Sequence, residues 1–227
     1  MIYLLLMLPV ILGFAIAQWM RPNPRHLQLF LSFSGAYLLS VTVLHLIPEV
    51  YAGQEKHTGI FILVGILLQS GLEYLSKGAE HGHMHVHDTS GKVPWLLLSS
   101  LFAHAFLEGM PLGLDTNYNL LWAIVVHKLP IAIILAVFLR NSFSSPWPVI
   151  QFLFLFMIMS PLGSWVSANL DWFQQYTDRI NAIIIGVFLH ISTAILFESS
   201  QNHQFNLRKF ISILIGFGVG LLALAGT

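Results

Sequence analysis

Residues 119–139 read NLLWAIVVHKLPIAIILAVFL, an apolar run with His127 and Lys128 at its middle. A helix needs about 20 mostly apolar residues to cross the hydrocarbon core of a bilayer. Hydrophobic residues make up 56% of this 227-residue chain and charged residues only 9%, whereas a soluble domain carries about 25% charged residues. The composition therefore argues against a soluble protein and predicts a membrane protein with ionisable groups at depth.

Further apolar runs of similar length precede and follow this one, separated by turn-forming segments such as Arg21–Pro24 and Asp115–Asn117. We therefore predict an all-α integral membrane protein with eight transmembrane helices, at residues 2–20, 27–50, 58–76, 94–114, 119–139, 147–169, 180–198 and 210–226. The longest polar stretch between them is 77–93. No soluble domain is expected beside this single transmembrane domain.

The distribution of basic residues predicts the orientation, because cytoplasmic loops carry an excess of Lys and Arg. No basic residue precedes the first apolar run, so we interpret it as a membrane helix with its N-terminus outside rather than as a cleaved signal. Only Lys56 and Arg179 then fall in outer loops. The inner loops hold the other basic residues outside the spans: Arg21, Arg25, Lys77, Lys92, Arg140, Arg208 and Lys209. This predicts an N-out, C-out topology with segment 77–93 in the cytoplasm.

Three potential metal ligands are expected at matched depth in neighbouring helices. His104 and Glu108 are four residues apart in the fourth helix and share one face. Counted from the outer helix ends, His104 lies roughly 15 Å deep, Glu108 roughly 9 Å and His127 roughly 12 Å. Two imidazoles and a carboxylate suit zinc or another first-row divalent ion. The alternative is that each residue makes its own interhelical hydrogen bond.

Three prolines inside predicted helices add to this pattern. A proline inside a helix removes one backbone hydrogen bond and frees the carbonyl four residues earlier. Irregular backbone at membrane depth is tolerated where it lines a cavity. The prolines are Pro111, Pro130 and Pro161, and the carbonyls expected to be free are those of Leu107, Val126 and Met157.

Lys128 is too central in its helix to reach water easily. It is interpreted as a fixed charge in place of a second cation, as a partner of Glu108 or Glu73, or as a neutral amine. His45 and Glu49 are four apart at the outer end of the second helix. They either guide ions to the mouth of a pathway or form an interfacial polar pair.

The remaining polar candidates lie on the seventh helix, at inner helix ends and in the cytoplasmic segment. His190 is mid-span, with a role as ligand, proton carrier or packing residue left open, and Glu73 near an inner end fits an exit path or simple solvation. The 77–93 segment is rich in histidine, which favours labile metal binding, although a merely solvated loop is the alternative. Its histidines are His81, His83, His85 and His87.

Taken together, these motifs resemble the ZIP family of divalent metal transporters. His104-Ala105-Phe106-Leu107-Glu108-Gly109 is similar to the fourth-helix motif His-x-x-x-(Glu/Asp)-Gly of that family. His127-Lys128-Leu129-Pro130 is similar to the fifth-helix motif His-x-x-Pro, and Ser160-Pro161-Leu162-Gly163 to a sixth-helix Glu-Pro-Leu-Gly segment. The resemblance implies a ZIP-like bundle of eight helices, N-out and C-out, often with a His-rich cytoplasmic loop after the third helix.

The departures from the family pattern all concern a second metal site that many members hold beside the first. Those members carry ligands where this chain has Ala105, Lys128, Ile131 and Ser160. The resemblance to a branch with His-Lys-x-Pro on the fifth helix therefore implies a mononuclear site, with Lys128 in place of the second cation.

The resemblance implies transport of Zn²⁺ toward the cytoplasm, with Fe²⁺, Mn²⁺ and Cd²⁺ as alternative substrates and no organic cofactor. It implies a multi-pass protein of the cell membrane with the lipid bilayer as its surroundings, and a homodimer is compatible with it. Ten basic residues balance ten acidic ones, so no nucleic-acid partner is expected. The chain is not expected to be an enzyme. Alternatives from other classes are a membrane-embedded zinc hydrolase and a metal sensor that does not transport.

Overall fold

The computed structural model describes residues 1–20, 22–53, 55–76, 93–114, 117–198 and 207–225, and the regular elements within these ranges are all helices. In chain order they are α1 Ile2–Trp19, α2 Pro24–Val41, a π-helical turn Thr42–Leu46, α3 Ile47–Ala52, α4 Thr58–Ser76, α5 Trp95–Gly109, α6 Pro111–Leu114, α7 Tyr118–Ser142, α8 Pro146–Asn169, α9 Asp171–Gln175, α10 Thr177–Glu198 and α11 Leu207–Ala225. The predicted all-α fold class is confirmed.

Within the described ranges, seven helices or helix runs are long and apolar enough to cross a membrane. Two of them are composite: α2 runs through the π-helical turn into α3, and α5 is followed directly by α6. The eighth predicted span, 210–226, corresponds to α11, whose 19 residues begin with a basic first turn. Its crossing of the membrane and the N-out, C-out topology stay predictions.

Several helix ends differ from the sequence expectation for identifiable reasons. The second span begins at Pro24 rather than residue 27, because Asn23 Oδ1 accepts a hydrogen bond from the Arg25 N–H and Pro24 suits the first turn. Another difference is the π-helical turn around His45, which interrupts the second predicted span. The seventh span begins at Thr177 rather than residue 180, after the short helix α9.

The long helices pack into two groups. One group contains α1, α5, α7 and α8, and the other contains α2, α4, α10 and α11. The groups meet where α2 packs on α7 and α4 packs on α5. The first group holds most of the largest buried apolar cluster, which includes Leu101, Leu135 and Phe156. The ionisable residues at membrane depth are divided between the two groups.

Glycines allow the closest backbone contacts within each group. A Cβ atom on Gly65 of α4 would collide with the Ile183 carbonyl of α10, and one on Gly186 would collide with the Ile62 carbonyl. In the other group, a Cβ on Gly109 of α5 would collide with the carbonyl of Ser160 on α8. Small residues at such contacts are how membrane helices approach closely without a hydrophobic driving force.

This geometry predicts that Gly65→Ala destabilises the protein. The added methyl group must push α4 away from α10, which is expected to cost about 1–3 kcal/mol of unfolding free energy. Gly71→Ala is the matched control on the same helix, because nothing lies within 4 Å of its Cβ position. Thermal unfolding in detergent, followed by tryptophan fluorescence, should show a lower Tm for Gly65→Ala alone. Equal Tm values for the two variants would contradict this contact.

Candidate metal site

The fourth predicted span is divided just after Glu108. Helix α5 ends at Gly109 and α6 begins at Pro111, whose ring nitrogen has no hydrogen to donate. The Leu107 carbonyl, expected from the sequence to be free, instead accepts a hydrogen bond from the Met110 N–H at 3.2 Å. That expectation was wrong, because the chain tightens by one residue at the proline and so satisfies the carbonyl locally.

His104, Glu108 and His127 lie together between α5 and α7. One ligand atom from each residue can be chosen so that all three lie within 4.8 Å of one another. The two imidazole rings face each other edge to face, with centroids 6.4 Å apart and planes at 89°. Each of the three residues is at most 1% exposed. Two nitrogen donors and one carboxylate oxygen at this spacing can hold a divalent ion and leave a fourth position for water.

Lys128 points into the same region from α7 and is fully buried. Its Nζ lies 4.0 Å from Glu108 Oε2 and donates a hydrogen bond to Ser160 Oγ. It also lies over the Phe156 ring, 4.9 Å from the centroid. Of the two carboxylates that the sequence offered as partners, the structure places Glu108, not Glu73, beside the lysine.

Lys128, Ser160 and Ala105, three of the positions at which the resemblance implies a second metal site, lie together. Ser160 Oγ, which accepts from Lys128, donates to the Ala105 carbonyl at 2.7 Å. Ile131 is on α7 and is 1% exposed. The four positions therefore carry an ammonium group, a hydroxyl group and two apolar side chains, and none of them offers a carboxylate ligand.

An open pocket of about 130 Å³ lies between α3, α10 and the start of α7. Glu49 lines it, together with polar residues that the sequence analysis had not selected: Asn117, Thr177, Asp178 and Asn181. Pro111, three residues beyond Glu108, also lines the pocket. His45 is not part of the lining, and its Nε2 lies 3.5 Å from the Asn119 amide nitrogen. Asn117 was assigned only to a turn-forming segment, and nothing in the sequence around the other three residues indicated a pocket.

One residue after Asp178, Arg179 of α10 forms an ion pair with Glu55 in the segment between α3 and α4. Arg179 Nε donates to Glu55 Oε2 at 2.6 Å, and the His57 N–H donates to Glu55 Oε1 at 3.1 Å. The hydrogen bond from Arg179 is the main cause that holds the pKa of Glu55 below its usual value. The segment between α3 and α4 is thereby joined to α10.

A second polar group lies in the other half of the bundle. His190 Nε2 of α10 lies 3.4 Å from Glu73 Oε2 of α4. Gln69, four residues before Glu73, is fully buried, and neither of its amide atoms has a hydrogen-bond partner among the described residues. The sequence analysis passed over Gln69, although a lone amide one turn from a carboxylate in an apolar helix is a signal. The histidines of the 77–93 segment, His81, His83, His85 and His87, lie outside the described residues.

A family model described as ZIP Zinc transporter matches residues 69–224, which include all of α5, α7 and α8. The chain belongs to the ZIP family. It is 30% identical over 155 residues to zinc transporter ZIP1 of Danio rerio, covering 64% of this chain and 51% of that protein. It is 32% identical over 152 residues to zinc transporter ZIP1 of Takifugu rubripes, covering 61% and 50%.

A more distant relative is the protein zntD of Dictyostelium discoideum, 25% identical over 171 residues, with 65% of this chain and 25% of that protein covered. The chain thus spans about half the length of the ZIP1 relatives that it matches. The ZIP family assignment confirms the resemblance drawn from the helix motifs. The branch with His-Lys-x-Pro stays a prediction.

The buried charges predict an asymmetric response to mutation. Lys128→Met should lower the unfolding free energy of the metal-free protein by about 3–5 kcal/mol, because Glu108 would remain buried without its ionic partner. Adding Glu108→Gln should restore most of that loss, since no buried charge is then left unpaired. Thermal unfolding in chelator-containing detergent measures both variants.

Lys56→Met, which changes an exposed lysine, is the control and should unfold like the wild type. If the double variant were no more stable than Lys128→Met, the contribution of Lys128 to stability would not come from its pairing with the Glu108 charge.

Proposed function

We propose that this chain transports divalent metal ions, with zinc as the principal substrate, across the cell membrane toward the cytoplasm. The observation that supports this most is the convergence of His104, Glu108 and His127 within 4.8 Å in a buried part of the bundle. Desolvated ionisable residues inside a membrane protein commonly mark an ion pathway. Membership of a zinc transporter family supports the same conclusion.

The proposed route begins at the pocket that contains Glu49, Asp178 and Asn181. Its carboxylates attract the cation, and Pro111 connects the pocket wall with the helix turn that carries Glu108. The ion then binds His104, Glu108 and His127. Release requires the two helix groups to rearrange, since each ligand is at most 1% exposed. Several sites of moderate affinity favour passage over trapping.

In this proposal the site holds one ion, and the Lys128 ammonium group substitutes for a second. The distance of 4.0 Å between Lys128 Nζ and Glu108 Oε2 gives the carboxylate a permanent positive neighbour. Zinc fits the two imidazoles best, whereas Fe²⁺, Mn²⁺ and Cd²⁺ are the competing substrates to test. The three ligands come from one chain. The ligand set therefore does not depend on the protein's location in the cell membrane or on its assembly as a homodimer.

The hydrolase alternative is less well supported by the geometry. A lipid substrate would have to reach the ligands from the bilayer, but His104 and His127 are each at most 1% exposed. With Glu108 as the third ligand, the described residues offer no further carboxylate in this group to act as a general base. A sensor that binds without transporting shares the same site, and flux measurements separate it from a transporter.

The direct test is zinc uptake into proteoliposomes. We expect the double variant His104→Ala/His127→Ala to lose at least about 90% of the uptake, because two of three ligands are removed. The control is His26→Ala/His57→Ala, which removes two exposed histidines and should transport like the wild type. Equal uptake by all three proteins would refute the proposed function.

A second test concerns the number of ions. In protein whose four loop histidines are replaced by alanine, Lys128→Asp should raise the zinc bound per chain, because a carboxylate replaces the ammonium group beside Glu108. Lys128→Met is the control, since it removes the charge without adding a ligand. Metal analysis after desalting gives the ratio, and no gain with Lys128→Asp would contradict the cation-substitute role.

A further inference from the structure

We infer that Gln69, Glu73 and His190 form a second divalent-cation site, through which the ion leaves the bundle. The position of this site on an exit route rests on the proposed transport function, whereas the choice of its ligands does not. The three residues offer an amide oxygen, a carboxylate oxygen and an imidazole nitrogen. Such a mixed set suits zinc and other first-row divalent ions.

The packing of α4 against α10 brings Glu73 and His190 together, and Gln69 lies one turn before Glu73 on α4. Gly65 packs against Ile183 and Gly186, and eight residues further along α4, Glu73 meets His190. Both contacts advance along the two helices in the same direction, so α4 and α10 are parallel. Gln69 lies four residues from both Gly65 and Glu73, and therefore faces α10 between the two contacts.

The burial of Gln69 is what distinguishes this group from an ordinary interhelical ion pair. Its side chain is 0% exposed, and its Oε1 and Nε2 have no hydrogen-bond partner among the described residues. A buried amide left in this way costs free energy unless a ligand or water satisfies it. A cation held by Glu73 and His190 would accept the amide oxygen as a further ligand.

The exposure of the two ionisable residues fits a site from which an ion departs. Glu73 and His190 are 21% and 18% exposed, whereas the ligands of the first site are at most 1% exposed. Glu73 is about 5 Å from the last residue of α4, and His104 is about 14 Å from the first residue of α5. The second site therefore lies nearer to the side on which α4 ends and α5 begins.

A polar stripe on α5 connects the two sites. Ser100, His104 and Glu108 are spaced at four-residue intervals and so share one side of the helix. Ser100 Oγ donates a hydrogen bond of 2.5 Å to the carbonyl of Leu72, the residue before Glu73. Since α5 and α4 belong to different helix groups, an ion that passes from His104 toward Glu73 moves from one group to the other.

The test is zinc stoichiometry in the full chain, with His81, His83, His85 and His87 replaced by alanine so that the cytoplasmic segment does not contribute. We expect two zinc ions per chain in this background after desalting from a zinc-saturated solution. Adding Glu73→Gln/His190→Ala should leave one ion per chain. Adding His104→Ala/His127→Ala should also leave one, and combining all four substitutions should leave none.

The matched control is Glu55→Gln/His57→Ala, which removes one carboxylate and one imidazole outside the spans and should leave two ions bound. Glu73→Gln keeps the size of the side chain, and its thermal unfolding is measured in parallel to show that α4 and α10 remain packed. An unchanged stoichiometry in folded Glu73→Gln/His190→Ala overturns the inference. Failure of the wild type to transport zinc would instead refute the proposed function. The second site would still be supported in that case if Glu73→Gln/His190→Ala lost one bound ion.

Discussion

A buried charge in a membrane protein must be neutralised by another protein group or by a bound ion, because the hydrocarbon around it offers neither water nor counter-ions. Lys128 imposes this constraint on the whole site. Its ammonium group is fully buried and has Glu108, Ser160 and the face of Phe156 around it. These partners come from α5 and α8, so three helices must converge on one point of α7. The same Glu108 carboxylate also offers an oxygen atom as a ligand beside the ring nitrogens of His104 and His127.

Close helix packing makes this convergence geometrically possible. Gly109 follows Glu108 directly, and its missing side chain lets the Ser160 carbonyl approach. Gly163 does the same on α8, where a Cβ would collide with the Phe106 carbonyl. The glycines of the Glu-Gly and Pro-Leu-Gly segments therefore have a structural purpose that is separate from metal binding. They set the distance between α5 and α8, and with it the position of the Ser160 hydroxyl beside Lys128.

Sequence reasoning succeeded where a single physical rule decides the outcome. The length and apolarity of the spans predict the helices, and the four-residue spacing predicts the common face of His104 and Glu108. It failed where several helices act together. Gln69 carries no charge and was passed over despite its position one turn from Glu73, because only the folded structure shows that it is fully buried. Likewise, Asp178 and Asn181 were not selected from the sequence, whereas the fold brings them into a pocket with Glu49.

The central claim is that His104, Glu108 and His127 hold the transported ion, and X-ray absorption at the zinc K-edge tests it most directly. The sample is the full chain with its four loop histidines replaced by alanine and with Glu73→Gln/His190→Ala, carrying one zinc ion or less. The account predicts a first shell of nitrogen and oxygen at about 2.0–2.1 Å with multiple scattering from two imidazoles. His127→Ala should reduce that scattering to one imidazole, whereas His57→Ala should leave it unchanged. A first shell without imidazole, or one unaffected by His127→Ala, would contradict the account.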